Sequence, residues 1–316
     1  MTIFLLAVLF LIMINIGDKV NSENLIVFYI VIAVQISIFC LIIRLLASRR
    51  KFCIIIAIGY LIPTLILSVP NIRLFTHIET CAGDISDSNL VIHAGGRYVG
   101  YEYLHAQESL TDYLDQGYDR IELDFLLTAD GKVVCTHMWE YIDGYDMENR
   151  PTIDEFAESQ ILGEYHPITF KWLISTLKEY PDAKIIVDTK DDMPALLEKM
   201  VAGVSKSDFD IFDRFIVYIF SYEDYLEIRS KDYPFSEYWF ANYKINYSAS
   251  EISRYFDGAE EISTYCLQYN TWFDFIRSGN ELNKDIAIHT IRNADFVKFA
   301  YLRGVKYFLV DYNILL

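Results

Sequence analysis

From about residue 90 to its C-terminus the chain alternates strand-length apolar runs with amphipathic stretches: LVIHAGG, RIELDFLLT, KVVCTH, KIIVDTK, FIVYIFS, EYWFANY, ISTYCLQY, IAIHTI and KYFLVDY. Helical patterns lie between most of them, at 102–116, 194–204, 222–231 and 295–302, the last followed by Gly304 as a helix stop. Repeated strand–helix units of this size imply a parallel sheet, and their number suits a closed (β/α)8 barrel. The nine candidates are one more than such a barrel needs. Periodicity leaves open whether EYWFANY or ISTYCLQY lies outside it. An open, doubly wound sheet accounts for the alternation nearly as well, and the polar residues at the strand ends decide for the barrel.

The first seventy residues are of another kind. Apolar residues make up 53% of the 316-residue chain and concentrate here, in runs at 2–17, 25–46 and 52–69 separated by DKVNSEN and the basic ASRRK. A spanning helix needs about 20 predominantly apolar residues. The second run meets that, with Arg44 close enough to its end to snorkel, and the first and third are short but usable. Nothing basic precedes the first run and no small-residue cleavage site follows it before Asp18, which favours an uncleaved anchor over a signal peptide. The runs contain no carboxylate or histidine that would suggest transport. Residues 1–70 are therefore expected to be a membrane anchor of two to three transmembrane helices, 71–89 a linker, and 90–316 the barrel. Arg44, Arg49, Arg50 and Lys51 fall in one short loop, which the positive-inside rule places in the cytoplasm. The chain then reads as an integral membrane protein with its barrel on the extracytoplasmic side.

Charge divides the chain in the same way. Of 27 basic and 44 acidic residues, the first 51 positions hold five and two, leaving 22 and 42 and a formal charge of −20 on the remainder. Such a field repels polyphosphate backbones, which argues against nucleic acid as a partner. Five cysteines show no CxxC spacing, so no zinc site or disulfide framework is legible; for Cys81, Cys135 and Cys266 a single bridge stays open, and buried free thiols are the favoured reading.

Active sites of (β/α)8 barrels collect at the C-terminal ends of the strands, so a polar residue ending an apolar run is a candidate. Here LVIH ends on His93, KVVCTH on His137, and KIIVDTK on Asp188 and Lys190. Each alone is more often a satisfied structural group; together they are harder to explain that way. In Ile121-Glu122-Leu123-Asp124-Phe125 the carboxylates stand two apart and so share one face of a strand. Two buried carboxylates on one face repel unless a cation, a basic partner or a shared proton intervenes. Mg²⁺ or Ca²⁺ takes oxygen ligands of this kind, with Asp188 as a third. A salt bridge to Arg120 or Lys190 is the structural alternative.

These residues resemble a known family. HAGG at the first strand, GYDRIELDFLLTADGKVVCTH and the later IIVDTK are similar to the pattern of the glycerophosphodiester phosphodiesterases, and AIHTIRN and KYFLVD look like that family's last two strands. The resemblance covers about residues 90–316. It implies His93 and His137 as the acid and base, Glu122, Asp124 and Asp188 as ligands of a divalent metal ion, and Lys190 at the phosphate. It further implies attack by the neighbouring glycerol hydroxyl, giving a cyclic phosphate that water opens. The substrate would be a phospholipid headgroup ester, a lysophospholipid or a glycerol-phosphate envelope polymer. The chain also departs from the family. Ala94 replaces the usual arginine, so that one phosphate contact is either missing or supplied by Arg97 from the following loop. His105 stands in place of asparagine, Met138 in place of aspartate and Asp188 in place of glutamate.

Two rival readings are metal-independent phosphoinositide-type phospholipase chemistry, which does not need three carboxylates, and a catalytically inactive membrane-tethered binding module. The long segment from Trp139 to Pro181 reads either as a wall or lid over the site or as a helix capped at Thr152-Ile153-Asp154-Glu155. The aromatic run FSEYWFANYKINY reads as a core strand or a pocket lining. His77, His166 and His289 carry no assignment.

Overall fold

The computed structural model describes residues 85–278 and 284–312. The three apolar runs assigned to the anchor lie outside the described residues, as does most of the linker. Among the described residues no helix is long and apolar enough to cross a membrane.

Eight parallel strands form the barrel: β1 (Leu90–Ile92), β4 (Arg120–Leu127), β7 (Lys184–Thr189), β8 (Phe215–Ile219), β9 (Glu237–Ala241), β10 (Ile262–Gln268), β11 (Asp285–His289) and β12 (Tyr307–Val310). The sheet closes because β1 pairs on both edges, with β12 through Val91↔Leu309 and with β4 through Ile92↔Ile121. That closure excludes the open doubly wound alternative. EYWFANY and ISTYCLQY are both barrel strands, β9 and β10. The ninth candidate, KVVCTH, is the one outside: β5 (Val133–Cys135) runs antiparallel to the end of β4 and then pairs with β6 (Ile168–Thr169). A turn at Asp130-Gly131, with Gly131 at φ 69°, makes β4 and β5 a hairpin rather than a strand–helix unit.

Helices α1 (Gln107–Asp115), α3 (Phe170–Glu179), α4 (Met193–Ala202), α5 (Tyr222–Ser230), α6 (Ala249–Phe256), α7 (Tyr269–Ser278) and α8 (Ala294–Tyr301) follow the strands, and a short α2 (Ile153–Glu158) lies in the segment after β5. The first helix buries Leu110, Tyr113 and Leu114. Each such side chain contributes roughly 1.5–3 kcal/mol. Tyr113 also fixes the loop leaving β1: its hydroxyl donates to the Arg97 carbonyl at 2.8 Å and accepts from the Arg97 amide at 3.0 Å. A Cβ on Gly96 would stand 2.3 Å from that ring, so the second glycine of HAGG is required by close approach.

The segment after β5 carries a small core of its own, in which Trp139, Ile142, Phe156 and Ile161 pack with Leu104 and Leu126. The expected cap is present, with Thr152 and Glu155 bonded reciprocally at the start of α2. Arg150 holds the segment to the barrel through paired 2.9 Å bonds to Asp191. Both cysteines in the described residues, Cys135 and Cys266, are buried free thiols.

Candidate active site

In the parallel ladder Asp124 stands opposite Asp188, and Glu122 lies two residues earlier on the same face of β4. The next residue, Phe125, points the other way, toward Phe170 of α3 at 6.5 Å between ring centroids. Strand alternation thus delivers three carboxylates to the barrel interior, where a cavity of about 240 Å³ is lined by all three together with His93, His137, Lys190, Tyr218, Tyr243, Lys244, Cys266 and His289.

The two histidines are mounted alike. His93 Nδ1 lies 2.8 Å from Asp311 Oδ1, and His137 Nδ1 lies 2.9 Å from Asp124 Oδ2. A carboxylate can only accept here, so each ring donates from Nδ1 and presents Nε2 to the cavity. Asp311 is buried, sits immediately after β12, and also receives Arg292 at 3.0 Å. Burial works against charge on His93, yet Glu122, Asp311 and Asp124 more than offset it and hold its pKa up to about 9. Burial likewise opposes charge on Asp124, and the His105 and His137 imidazoles pull its carboxyl well below the usual range. His137 is the proton donor of the two. His105 Nε2 accepts from the Asp124 amide at 2.8 Å, a shorter contact than its 3.2 Å approach to Oδ2, and its Nδ1 donates to the Tyr103 carbonyl at 3.0 Å.

Glu122 and Asp188 are short of positive charge. Burial, reinforced by neighbouring carboxylates, raises the pKa of both. Tyr243 donates to Asp188 at 2.5 Å, but Glu122 Oε2 is buried with no hydrogen-bond partner among the described residues, and His93 Nε2 stands off at 3.8 Å. The alternative salt bridges do not form: Arg120 pairs with Asp119, and Lys190 Nζ bonds to the His137 carbonyl. Oxygen donors with surplus buried negative charge fit a hard divalent cation. Among the described residues, however, no group of three or more His, Cys, Asp or Glu side chains is already gathered to hold one.

Six of the seven residues singled out from sequence line this cavity; Arg97 does not. Its strand β2 (Arg97–Tyr98) pairs with β3 (Tyr101–Glu102) in an exposed hairpin, and its guanidinium lies 6.0 Å from the Tyr312 ring centroid. The second cation beside Lys190 is Lys244, whose Nζ donates to the Thr189 carbonyl at 2.6 Å and sits 3.5 Å over the Phe220 ring. The aromatic run divides accordingly: Trp239 and Phe240 are core, whereas Tyr243 and Lys244 line the cavity.

No protein-family model and no curated protein matches the chain. Solved structures do. A glycerophosphodiester phosphodiesterase from Parabacteroides distasonis aligns over 72% of this chain and 94% of its own, at 18% identity and TM-score 0.54. One from Agrobacterium tumefaciens aligns over 72% and 98%, at 16% identity and TM-score 0.52. An Oleispira antarctica phosphodiesterase, solved with the product sn-glycerol-3-phosphate, aligns over 71% and 93%, at 14% identity and TM-score 0.53. At these identities the likeness is one of architecture, and the described part of the chain has the (β/α)8 fold of the glycerophosphodiester phosphodiesterases.

Proposed function

We propose that the barrel is an enzyme that hydrolyses a glycerophosphodiester to glycerol phosphate and an alcohol. One observation carries this reading: two histidines, each anchored at Nδ1 by a carboxylate, converge on one cavity with three acidic and two lysine side chains. A phosphodiester is shielded by its own negative charge, so cations must neutralise it before a nucleophile approaches. Lys190 and Lys244 are the protein's cations for that purpose. Glu122, Asp124 and Asp188 would hold Mg²⁺ or Ca²⁺, which when bound supplies the remaining positive charge. His93, held protonated, suits the acid that protonates the leaving alcohol, and His137 the base that takes the hydroxyl proton. The product found in the Oleispira structure supports glycerol phosphate as the product class.

Residues 1–70 complete the proposal as an anchor of two to three spans, with 71–89 as linker and the barrel extracytoplasmic. Digestion of the barrel by protease added outside intact cells reads that placement directly.

The activity is tested with the full chain in detergent, supplied with glycerophosphocholine and glycerophosphoethanolamine. Release of sn-glycerol 3-phosphate is expected, abolished by chelator and reduced at least about 10²-fold by Glu122→Ala or His137→Ala. Turnover that survives the chelator and Glu122→Ala would favour the metal-independent rival. A folded protein that neither turns over substrate nor binds metal would be the inactive tethered module.

A further inference from the structure

His289 ends β11 on the wall of the cavity, and its Nε2 is buried with no hydrogen-bond partner among the described residues. A buried polar atom left in that condition is destabilising, and in native proteins it usually marks a group awaiting a ligand or water. Unlike His93 and His137, this ring has no carboxylate at hydrogen-bond distance among the described residues to support a proton. Burial, aided by the neighbouring His93 cation, lowers its pKa to about 4. The ring is held in place by the edge of Tyr243, 5.2 Å away between centroids and 70° inclined. Tyr243 in turn is bonded to Asp188, so His289 is fixed relative to the acidic cluster.

A neutral imidazole nitrogen is a poor partner for a phosphoryl oxygen when Lys190 and Lys244 line the same cavity. It matches an uncharged hydroxyl, which can donate or accept to suit either tautomer. We propose that His289 is a specificity-determining residue whose Nε2 hydrogen-bonds a hydroxyl of the substrate's glycerol moiety. This rests on the phosphodiesterase reading and deepens it. The choice of a glycerol ester over a simple alkyl phosphate would then lie in β11, and the handling of charge in β4, β7 and the loop after β9.

The test compares wild type, His289→Phe and His289→Gln in the full chain. Phe keeps the ring and removes both nitrogens, whereas Gln restores a polar atom near Nε2. The readouts are affinities for sn-glycerol 3-phosphate and for methyl phosphate, which lacks the hydroxyls, together with kcat and KM for glycerophosphoethanolamine. One neutral hydrogen bond corresponds to roughly tenfold in affinity. His289→Phe should lose about that factor for glycerol phosphate and nothing for methyl phosphate, with KM rising in parallel, and His289→Gln should recover much of the loss. Equal losses for both ligands would make the ring mere packing and overturn the assignment; so would undiminished discrimination in His289→Phe. A wild type that binds neither phosphate and releases no glycerol 3-phosphate overturns the phosphodiesterase reading itself, a distinct result.

Discussion

Asp311 and Asp124 give the two histidines one tautomer each, and the roles of the rings follow from what those carboxylates do. Asp311 accepts from His93 on one oxygen and from Arg292 on the other, so it both orients the ring and supports its charge. Asp311→Asn keeps the shape and removes the charge. It should lower kcat about 10²-fold with KM little changed, because the loss falls on proton transfer rather than on binding. Steady-state rates on glycerophosphoethanolamine measure this, and an unchanged kcat would remove His93 from the proton-transfer step. Most of the site was legible because strand-ending polar residues stand out against apolar runs, as His93, His137 and Asp188 do. The same rule applied to IAIHTI and KYFLVDY would have found His289 and Asp311. Lys244 was hidden for a different reason: its role depends on a loop carrying it back over β7, and local pattern holds no trace of that.

Among the elements, the β2–β3 hairpin is the one whose turn chemistry disagrees with its sequence. Val99 and Gly100 are its central residues, with φ 48° and 90°, the positive pair of a type I′ turn that favours Asn-Gly. A β-branched residue at positive φ is strained, and Val99 is 70% exposed, so packing offers little in return. Val99→Asn should stabilise the barrel by about 1 kcal/mol, visible as a rise of roughly 2–4 °C in melting temperature. A fall would mean that the valine makes a contact worth more than its strain. The other hairpin shows how composition misleads. KVVCTH has the length and apolar content of a barrel strand, yet the Asp130-Gly131 dipeptide before it is a strong hairpin signal, and it outweighs the strand count. Apolar content could not separate β5 from β9 or β10, because a strand buried in a hairpin and one buried in a barrel read alike.

At the scale of the whole molecule the barrel has two unlike ends. The catalytic end concentrates buried charge around the cavity, whereas the opposite end is closed by packing: Trp239 stacks on Tyr307 at 5.0 Å and Arg120 lies 4.9 Å over the same ring. One ionic group belongs to that closure. Glu237 accepts from Lys184 at 2.6 Å, Trp239 at 2.9 Å and Ser263 at 3.1 Å, tying β9 to β7 and β10. Burial would raise its pKa, but the bonds from Lys184 and Trp239 prevail and lower it. A folded-state pKa below the unfolded one gives stability that is present above the unfolded value, near 4.5, and lost as pH falls through the folded value. Glu237→Gln should therefore cost about 2 kcal/mol at pH 7, or about 5 °C in melting temperature, and the gap from wild type should shrink as pH falls below the unfolded value and through the lowered folded one. Thermal unfolding of both proteins between pH 7 and pH 3 checks this. A gap that persists unchanged at pH 3 would show that Glu237 closes the barrel by shape alone, and that the acid sensitivity of this end arises elsewhere.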